Sequence, residues 1–314
     1  MKLVGPLRRA GVLGINRRNA SYTLRENRRG LYPIVDDKLR TKRICAAAGI
    51  PTAKVLAAAR TQGAVAGLLP KLSSEQDFVL KPAHGAMGNG ILVVVERDGD
   101  RFRRPGGAWI TDGEIVHHAR SIVSGLYALG GQPDVAFAEE RLIVHPELAA
   151  IASEGVPDLR FVVFRGVPVM AMTRLPTHRS RGRANLHQGA VGAGIDLASG
   201  RTNHAVIGVT PVSEHPNTLE PIVGRRLPAF EMALEIAVRA TDCTGLGYVG
   251  ADIVVDARRG PVVLELNARP GLAIQIANRS GLLGRLRAVE TRWRPEMSFE
   301  ERLALGREIG SAAA

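Results

Sequence analysis

Cysteine, lysine and aromatic residues are all scarce in this 314-residue chain, and each scarcity removes a class of explanation. The two cysteines, Cys45 and Cys243, stand alone, so no C-x-x-C redox or zinc motif can form. Both fall in helical patterns and read as buried thiols of a reducing compartment, which makes the cytoplasm the expected location. No apolar run reaches the ~18 residues of a membrane span. Arg8 and Arg9 interrupt the start of the chain before it could serve as a signal peptide. Aromatics make up 4% of the residues, too few to give many platforms for stacking bases. That bears on the net charge of +12, which would otherwise invite nucleic acid. The charge is dispersed in pairs such as Arg17-Arg18, Arg28-Arg29 and Arg225-Arg226, and an anionic small-molecule substrate explains it better. Lysine is the sharpest scarcity. Of 42 basic residues only Lys2, Lys38, Lys42, Lys54, Lys71 and Lys81 are lysine. A lysine retained in an arginine-biased chain marks a position that needs a compact point charge, such as one between phosphate oxygens.

The segment 250–272, GADIVVDARRGPVVLELNARPGL, is the most informative stretch. Two Val/Ile/Leu-rich runs flank a turn at 258–261 and predict an antiparallel strand pair. Asp252 interrupts the first run, and Glu265 and Asn267 interrupt the second two residues apart, on one face, with Leu264 and Leu266 directed into a core. Carboxylate and amide oxygens are hard ligands, suited to magnesium holding a nucleotide triphosphate and unsuited to zinc or iron.

A second segment, FVLKPAHGAMGNGILVV at 78–94, reads as strand, lysine, glycine-rich loop and strand. Gly85, Gly88 and Gly90 let backbone N–H groups close over phosphates, with Lys81 reaching the same oxygens. It is neither a Walker loop nor a dinucleotide fingerprint. His84 beside it reads as a hydrogen-bonding bystander. Elsewhere, residues 1–35 lack clear periodicity and read as an extended arginine-rich arm with one short helix. A hairpin is expected around Arg165-Gly166, a helix over 228–241 with Phe230, Ala233, Leu234, Ala237 and Val238 on one stripe, and a charged helical tail over 285–314. Residues 174–205 form the longest irregular, Gly-rich segment. Strands and helices mix without strict βαβ alternation, which suggests an α+β architecture.

Together with DDKLRTKRICAAAGIP at 36–51, these segments resemble the ATP-grasp family of carboxylate–amine ligases, with the nearest likeness to ribosomal-protein glutamate ligases and alpha-L-glutamate ligase-like proteins. The likeness runs from about Asp36 to Arg279. It implies two α+β lobes clasping MgATP, a first lobe over 36–139 and a second over 140–284. It also implies amide-bond formation through an acylphosphate. By the same resemblance Lys38 and Lys81 contact phosphates, Glu139 or Glu140 lies near the adenine or ribose with Leu142 beside them, and Asp252, Glu265 and Asn267 hold Mg2+. Arg160, in Asp158-Leu159-Arg160, would neutralise the transferred phosphoryl and acyl oxygens. Asn185 of Asn185-Leu186-His187 would stand near the γ-phosphate, with His187 on the substrate side. Arg269-Pro270-Gly271-Leu272 would form a substrate-facing turn.

Two departures stand out. Full ligases carry an α/β domain before the Asp-Lys motif, whereas only 35 residues precede Asp36 here. Arg269 occupies a position where several relatives have a small residue. The substrate carboxylate, of an amino acid or acidic peptide such as one containing glutamate, then falls to Arg269, to the arm with Arg28, to the loop, or to a protein partner or second copy in place of the missing lobe. A nucleotide-binding pseudoenzyme that docks partners is the competing reading.

Overall fold

The computed structural model describes residues 4–85 and 88–311, which divide into two units. One comprises Asp36–Lys42 and Ala53–Leu142; the other comprises the chain through Val35, Arg43–Thr52 and everything from Ile143 onward.

The smaller unit is built on a four-stranded antiparallel sheet in the order Val55–Ala59, Ala136–Glu139, Phe78–Pro82, Leu92–Val94. Phe78, Leu80, Ala136 and Ala138 alternate onto one face, where Ile115, Ala119 and Ile122 of the helix Asp112–Val123 cover them. That helix opens with a reciprocal capping box between Thr111 and Glu114, which satisfies two of its otherwise orphaned N–H donors. The intervening positions, Lys81, Phe137 and Glu139, point to the other face. Phe137 packs there against Leu39, Ala83 and Val135.

The larger unit carries a seven-stranded antiparallel sheet. Its order is Thr210–Pro211, Thr202–Ile207, Val191–Ile195, Val167–Leu175, Asp158–Phe164, Tyr248–Asp256, Gly260–Asn267. Both faces are covered, so its central strands are apolar at nearly every position. Phe161 and Val163 enter one core with Phe230, Ala233, Leu234, Ala237 and Val238, the expected stripe of the helix Phe230–Asp242. Val162 and Phe164 enter a second core with Leu282, Leu286 and Val289 of the helix Leu282–Arg292 and Leu305 and Ile309 of the helix Phe299–Ser311. The hairpin at Arg165-Gly166 has positive φ at both residues (51° and 73°), the turn whose twist matches its strands.

Three sequence expectations change. The N-terminal segment is not an extended arm: it folds into short helical turns from Val4 to Asp36, and Leu13 and Tyr22 are buried in the second core. Tyr22 meets Phe164 edge-on at 5.5 Å, a packing contact invisible to periodicity within the segment itself. The stretch 174–205 is irregular only in part, because Val191–Ile195 and Thr202–Ile207 are strands. Gly192 and Gly194 hide the first of these from propensity, yet a Cβ on Gly194 would lie 2.7 Å from the Ala277 carbonyl oxygen, so the close approach requires glycine. Leu264 is only half-buried. A bulge shifts the register from Asp252↔Glu265 to Ile253↔Val263 and leaves Leu264 as the extra residue, so that Val263 and Leu266 share the core face.

Candidate active site

In the larger unit, four charged side chains converge where the strands Asp158–Phe164, Val167–Leu175 and Tyr248–Asp256 run side by side. Register pairs Asp158 with Arg174 and Asp252 with Arg160. Arg160 donates from Nε and Nη2 to the two Asp252 oxygens at 2.7 and 2.6 Å. Arg174 donates from Nε to Asp158 at 2.7 Å, from Nη2 to the other Asp158 oxygen, and from Nη2 to Asp252 at 2.8 Å. Two guanidinium groups and two carboxylates thus cancel in a largely buried setting. Burial pushes the Asp158 carboxyl up to about 6, with Arg174 opposing and the Asp252 charge adding to the rise. Burial acts on Asp252 too, but Arg160 and Arg174 outweigh it and hold that carboxyl below the usual range.

Beside this network, Asp252 faces Glu265 across the strand pair and Asn267 faces Gly250, so the three proposed oxygen ligands share one face. Glu265 and Asn267 are half-buried, and among the described residues their side chains enter no hydrogen bond or ion pair. Their oxygens fit a hard divalent cation. Asp252 fits as an ionised carboxylate, although both its oxygens are engaged by arginine. Among the described residues no set of three or more His, Cys, Asp or Glu forms a metal cluster, which leaves a carboxylate pair completed by an amide.

The turn after Asn267 is held from the N-terminal segment. Arg18, buried, donates from Nη1 to the Pro270 carbonyl at 2.9 Å, and Asn27 donates to the Tyr248 and Ala268 carbonyls at 2.8 and 3.0 Å. Burial lowers the Arg18 pKa below its ordinary value, and Arg269 adds to the effect. Gly250 is required beneath the turn, since a Cβ there would stand 2.7 Å from the Pro270 ring. Arg269 itself is exposed, its guanidinium 5.0 Å above the Tyr32 ring. Asn185 accepts a hydrogen bond from the His187 backbone at 3.0 Å and caps a short turn. His187 and Arg28 are exposed. Among the described residues no hydrogen bond or ion pair joins Asn185, His187 or Arg28 to the Asp–Arg network.

In the smaller unit, Lys81 and Glu139 project from neighbouring strands onto the same face and form a buried ion pair, which Lys42 completes at 2.8 Å. Lys42 also donates to the Ala53 carbonyl at 2.7 Å. Burial pulls the Lys42 ammonium below its usual value against the raising influence of Glu139. Burial alone would raise Glu139, yet Lys81 and then Lys42 hold it below the usual carboxylate range. Glu139 is therefore the counter-ion of two lysines and is almost wholly buried. Glu140 follows the end of the strand Ala136–Glu139, and its carboxylate accepts from the Lys54 backbone at 2.5 Å. Leu142 is buried.

Lys38 donates to the Gly85 carbonyl at 2.6 Å, which ties the Asp-Lys motif to the start of the glycine-rich loop. Gly88 and Gly90 have φ of 75° and 76°, the left-handed region that glycine alone adopts freely. Residues 86 and 87 of the loop lie outside the described residues. His118 donates from Nε2 to the Gly90 carbonyl at 2.9 Å, and burial lowers its pKa so that the ring stays neutral near pH ~7. His84 pairs through Nδ1 with buried Asp134 at 2.6 Å. Sequence reasoning missed Lys42, His118, Asp134, Arg174, Arg18 and Asn27. Only Lys42 carried a usable signal, as one of the few lysines retained.

Residues 17–291 match the family described as sugar-transfer associated ATP-grasp. The chain belongs to this family. Its fold is accordingly an ATP-grasp fold of mixed helices and antiparallel sheets. No curated protein matches the chain. Among solved structures it is similar to the ATP-grasp ligase PsnB complexed with minimal precursor, at 15% identity over 89% of this chain and 64% of that one, with a TM-score of 0.45. It is also similar to D-alanine–D-alanine ligase from Bacillus anthracis, at 14% identity over 90% and 70% of the two chains and a TM-score of 0.46. The D-cycloserine synthetase DcsG matches at 14% identity over 84% and 72%, again with a TM-score of 0.46. The chain thus spans less than two thirds of the length of PsnB. No helix among the described residues is long and apolar enough to cross a membrane.

Proposed function

We propose that this protein is an ATP-dependent carboxylate–amine ligase. A substrate carboxylate oxygen bonds to the γ-phosphorus of ATP as the bond to ADP breaks, giving an acylphosphate. An amine nitrogen then bonds to the acyl carbon, phosphate departs and the amine loses a proton, leaving an amide. The observation that carries this reading is the face holding Asp252, Glu265 and Asn267. On an otherwise apolar strand pair, Glu265 and Asn267 keep their oxygens unengaged beside a neutralised Asp–Arg network.

Glu265, Asn267 and Asp252 would hold Mg2+, which when bound supplies positive charge to the β- and γ-phosphates. Lys38 and Lys81 are assigned to phosphate oxygens as point charges, with Lys42 and Glu139 fixing Lys81 in place. The glycine-rich loop contributes backbone N–H groups and excludes water. Arg160 is assigned to the developing charge on the transferred group, which requires it to exchange part of its grip on Asp252 for the substrate. Asn185 and His187 are assigned to the substrate side. Arg269, exposed and already stacked on Tyr32, is a ready clamp for a carboxylate such as that of glutamate or an acidic peptide. A cytoplasmic location accompanies this reading.

The test is ADP release with MgATP against a panel of amino acids and short acidic peptides, with the product identified by mass. ADP release coupled to an amide product of the summed mass less water supports the ligase. The saturated Asp252 carboxylate favours one other reading, a nucleotide-binding module without turnover. It predicts ATP binding with no ADP release across the panel.

A further inference from the structure

A cavity of about 310 Å³ lies between the helices Leu282–Arg292 and Phe299–Ser311, away from the residues assigned above. Gly284, Arg285 and Ala288 line it from the first helix and Ile309 from the second, and the Arg292–Glu308 ion pair stands beside them. Arg285 is the unusual member. Its side chain is buried to 6% exposure, yet it has no carboxylate partner. It makes one hydrogen bond, from Nη1 to the Val169 carbonyl at 3.0 Å, and its Nε is buried with no partner at all. A buried guanidinium with unused donors is costly unless something else completes its shell. Asp196 is the acid that acts on it electrostatically, but among the described residues no hydrogen bond or ion pair joins the two, and Asp196 Oδ1 accepts from the Ala198 and Ser199 backbone and from the Ser199 hydroxyl.

The remaining lining decides the chemistry. Arg292 and Glu308 cancel each other through two hydrogen bonds of 2.7 and 2.6 Å, so the net charge of the cavity is that of Arg285. Ala288, Ile309 and the glycines offer no polar side chain, and the volume exceeds what a bare oxyanion fills. Burial also lowers the Arg285 pKa below its ordinary value, the expected signature of a cation without its counter-charge.

We propose that this cavity is a binding site for a small organic anion, one carboxylate or phosphate group carried on a short apolar body. Nη2, the guanidinium nitrogen that is neither bonded to Val169 nor closed to solvent, receives the oxyanion, and Ala288 and Ile309 receive the body. Gly284 leaves the space open: a Cβ there would meet nothing within 4 Å, so a larger side chain can occupy the cavity without displacing the backbone. Leucine is also a better helix former than glycine.

The test titrates the full-length protein with butyrate, with neutral butyramide and with inorganic phosphate, followed by thermal unfolding and calorimetry. Butyrate is expected to raise the midpoint saturably in the wild-type protein while butyramide does not. Arg285→Met removes the charge-assisted hydrogen bonds and should weaken butyrate about tenfold or more. Gly284→Leu should remove the response while melting no lower than wild type. Glu265→Gln should respond as wild type, which separates this cavity from the proposed metal site. Saturation by phosphate as well as butyrate also supports the proposal and identifies a phosphate-bearing source, whereas butyrate alone identifies a carboxylate. Equal butyrate responses in wild type and Gly284→Leu, equal responses to butyrate and butyramide, or no saturable response to any probe would overturn it.

Discussion

Replacing Arg174 by methionine separates what supports the candidate site from what acts in it. Arg174 makes three charge-assisted hydrogen bonds, two to Asp158 and one to Asp252, in a setting where all three side chains are at most 12% exposed. Its removal leaves two buried carboxylates facing one guanidinium. Breaking a buried ion pair by deleting one partner costs about 3–5 kcal/mol, a large share of the ~5–15 kcal/mol that stabilises a domain. Arg160→Met is different, because Asp252 keeps its bond from Arg174 and Asp158 keeps both of its own. Its cost should be nearer ~1.5–3 kcal/mol, while turnover is lost. The pH dependence supplies an internal check. Asp158 titrates at about 6 in the folded protein, above the usual carboxylate value. A carboxyl raised in this way contributes stability at low pH and loses it as pH rises through that value. Below about pH 5, Asp158 is protonated and its ionic coupling to Arg174 is already weakened, so the cost of Arg174→Met should shrink there and be largest near pH ~8. Guanidinium chloride unfolding at the two pH values measures this. A cost for Arg174→Met below about 1 kcal/mol at both, or equal stability losses for the two variants with turnover intact in Arg160→Met, would refute the reasoning.

Other outcomes follow from the same geometry. Glu265→Gln should fold normally, since Glu265 enters no ion pair among the described residues, and should nearly abolish ADP release; normal turnover by the folded variant would remove Glu265 from the metal site. Lys81→Arg should lose activity although charge is kept, because a planar fork cannot sit between Glu139 and a phosphate oxygen as an ammonium does; full activity in that variant would end the lysine argument. Glu139→Gln should destabilise the smaller unit at neutral pH, with Lys42 and Lys81 left buried and unpaired. Since Glu139 is held below its usual value, the wild-type advantage should be present above about pH 4.5 and fade as pH falls through the folded value; an advantage that grew with acidity would contradict the ion-pair assignment. Deleting residues 1–30 should unfold the larger unit rather than merely impair substrate binding, because Leu13 and Tyr22 are core residues; a cooperative melt near the wild-type temperature after truncation would show otherwise.

The sequence showed a residue's place in the fold wherever the pattern of its own element carried it. Glu265 and Asn267 interrupt an apolar run at strand spacing, and that interruption alone placed them on one face with Asp252. Lys38 and Lys81 stood out against an arginine background. The supporting residues gave no such sign. Arg174 is one of many arginines, and its role exists only because the strands carrying Asp158 and Asp252 both lie beside the region it reaches, one 16 and the other 78 residues away in the chain. Arg18 and Asn27 hold the turn after Asn267 from a segment without periodicity, across separations of 252 and 241 residues. Glu139 was legible as polar within a strand but not as a counter-ion, since its partner Lys42 comes from a helix and Lys81 from the adjacent strand. The division has a physical basis. A ligand-facing group must break the apolar pattern of its own element, so it is visible one strand at a time. A group that positions it need only be polar, and the contact that gives it meaning is made by the fold.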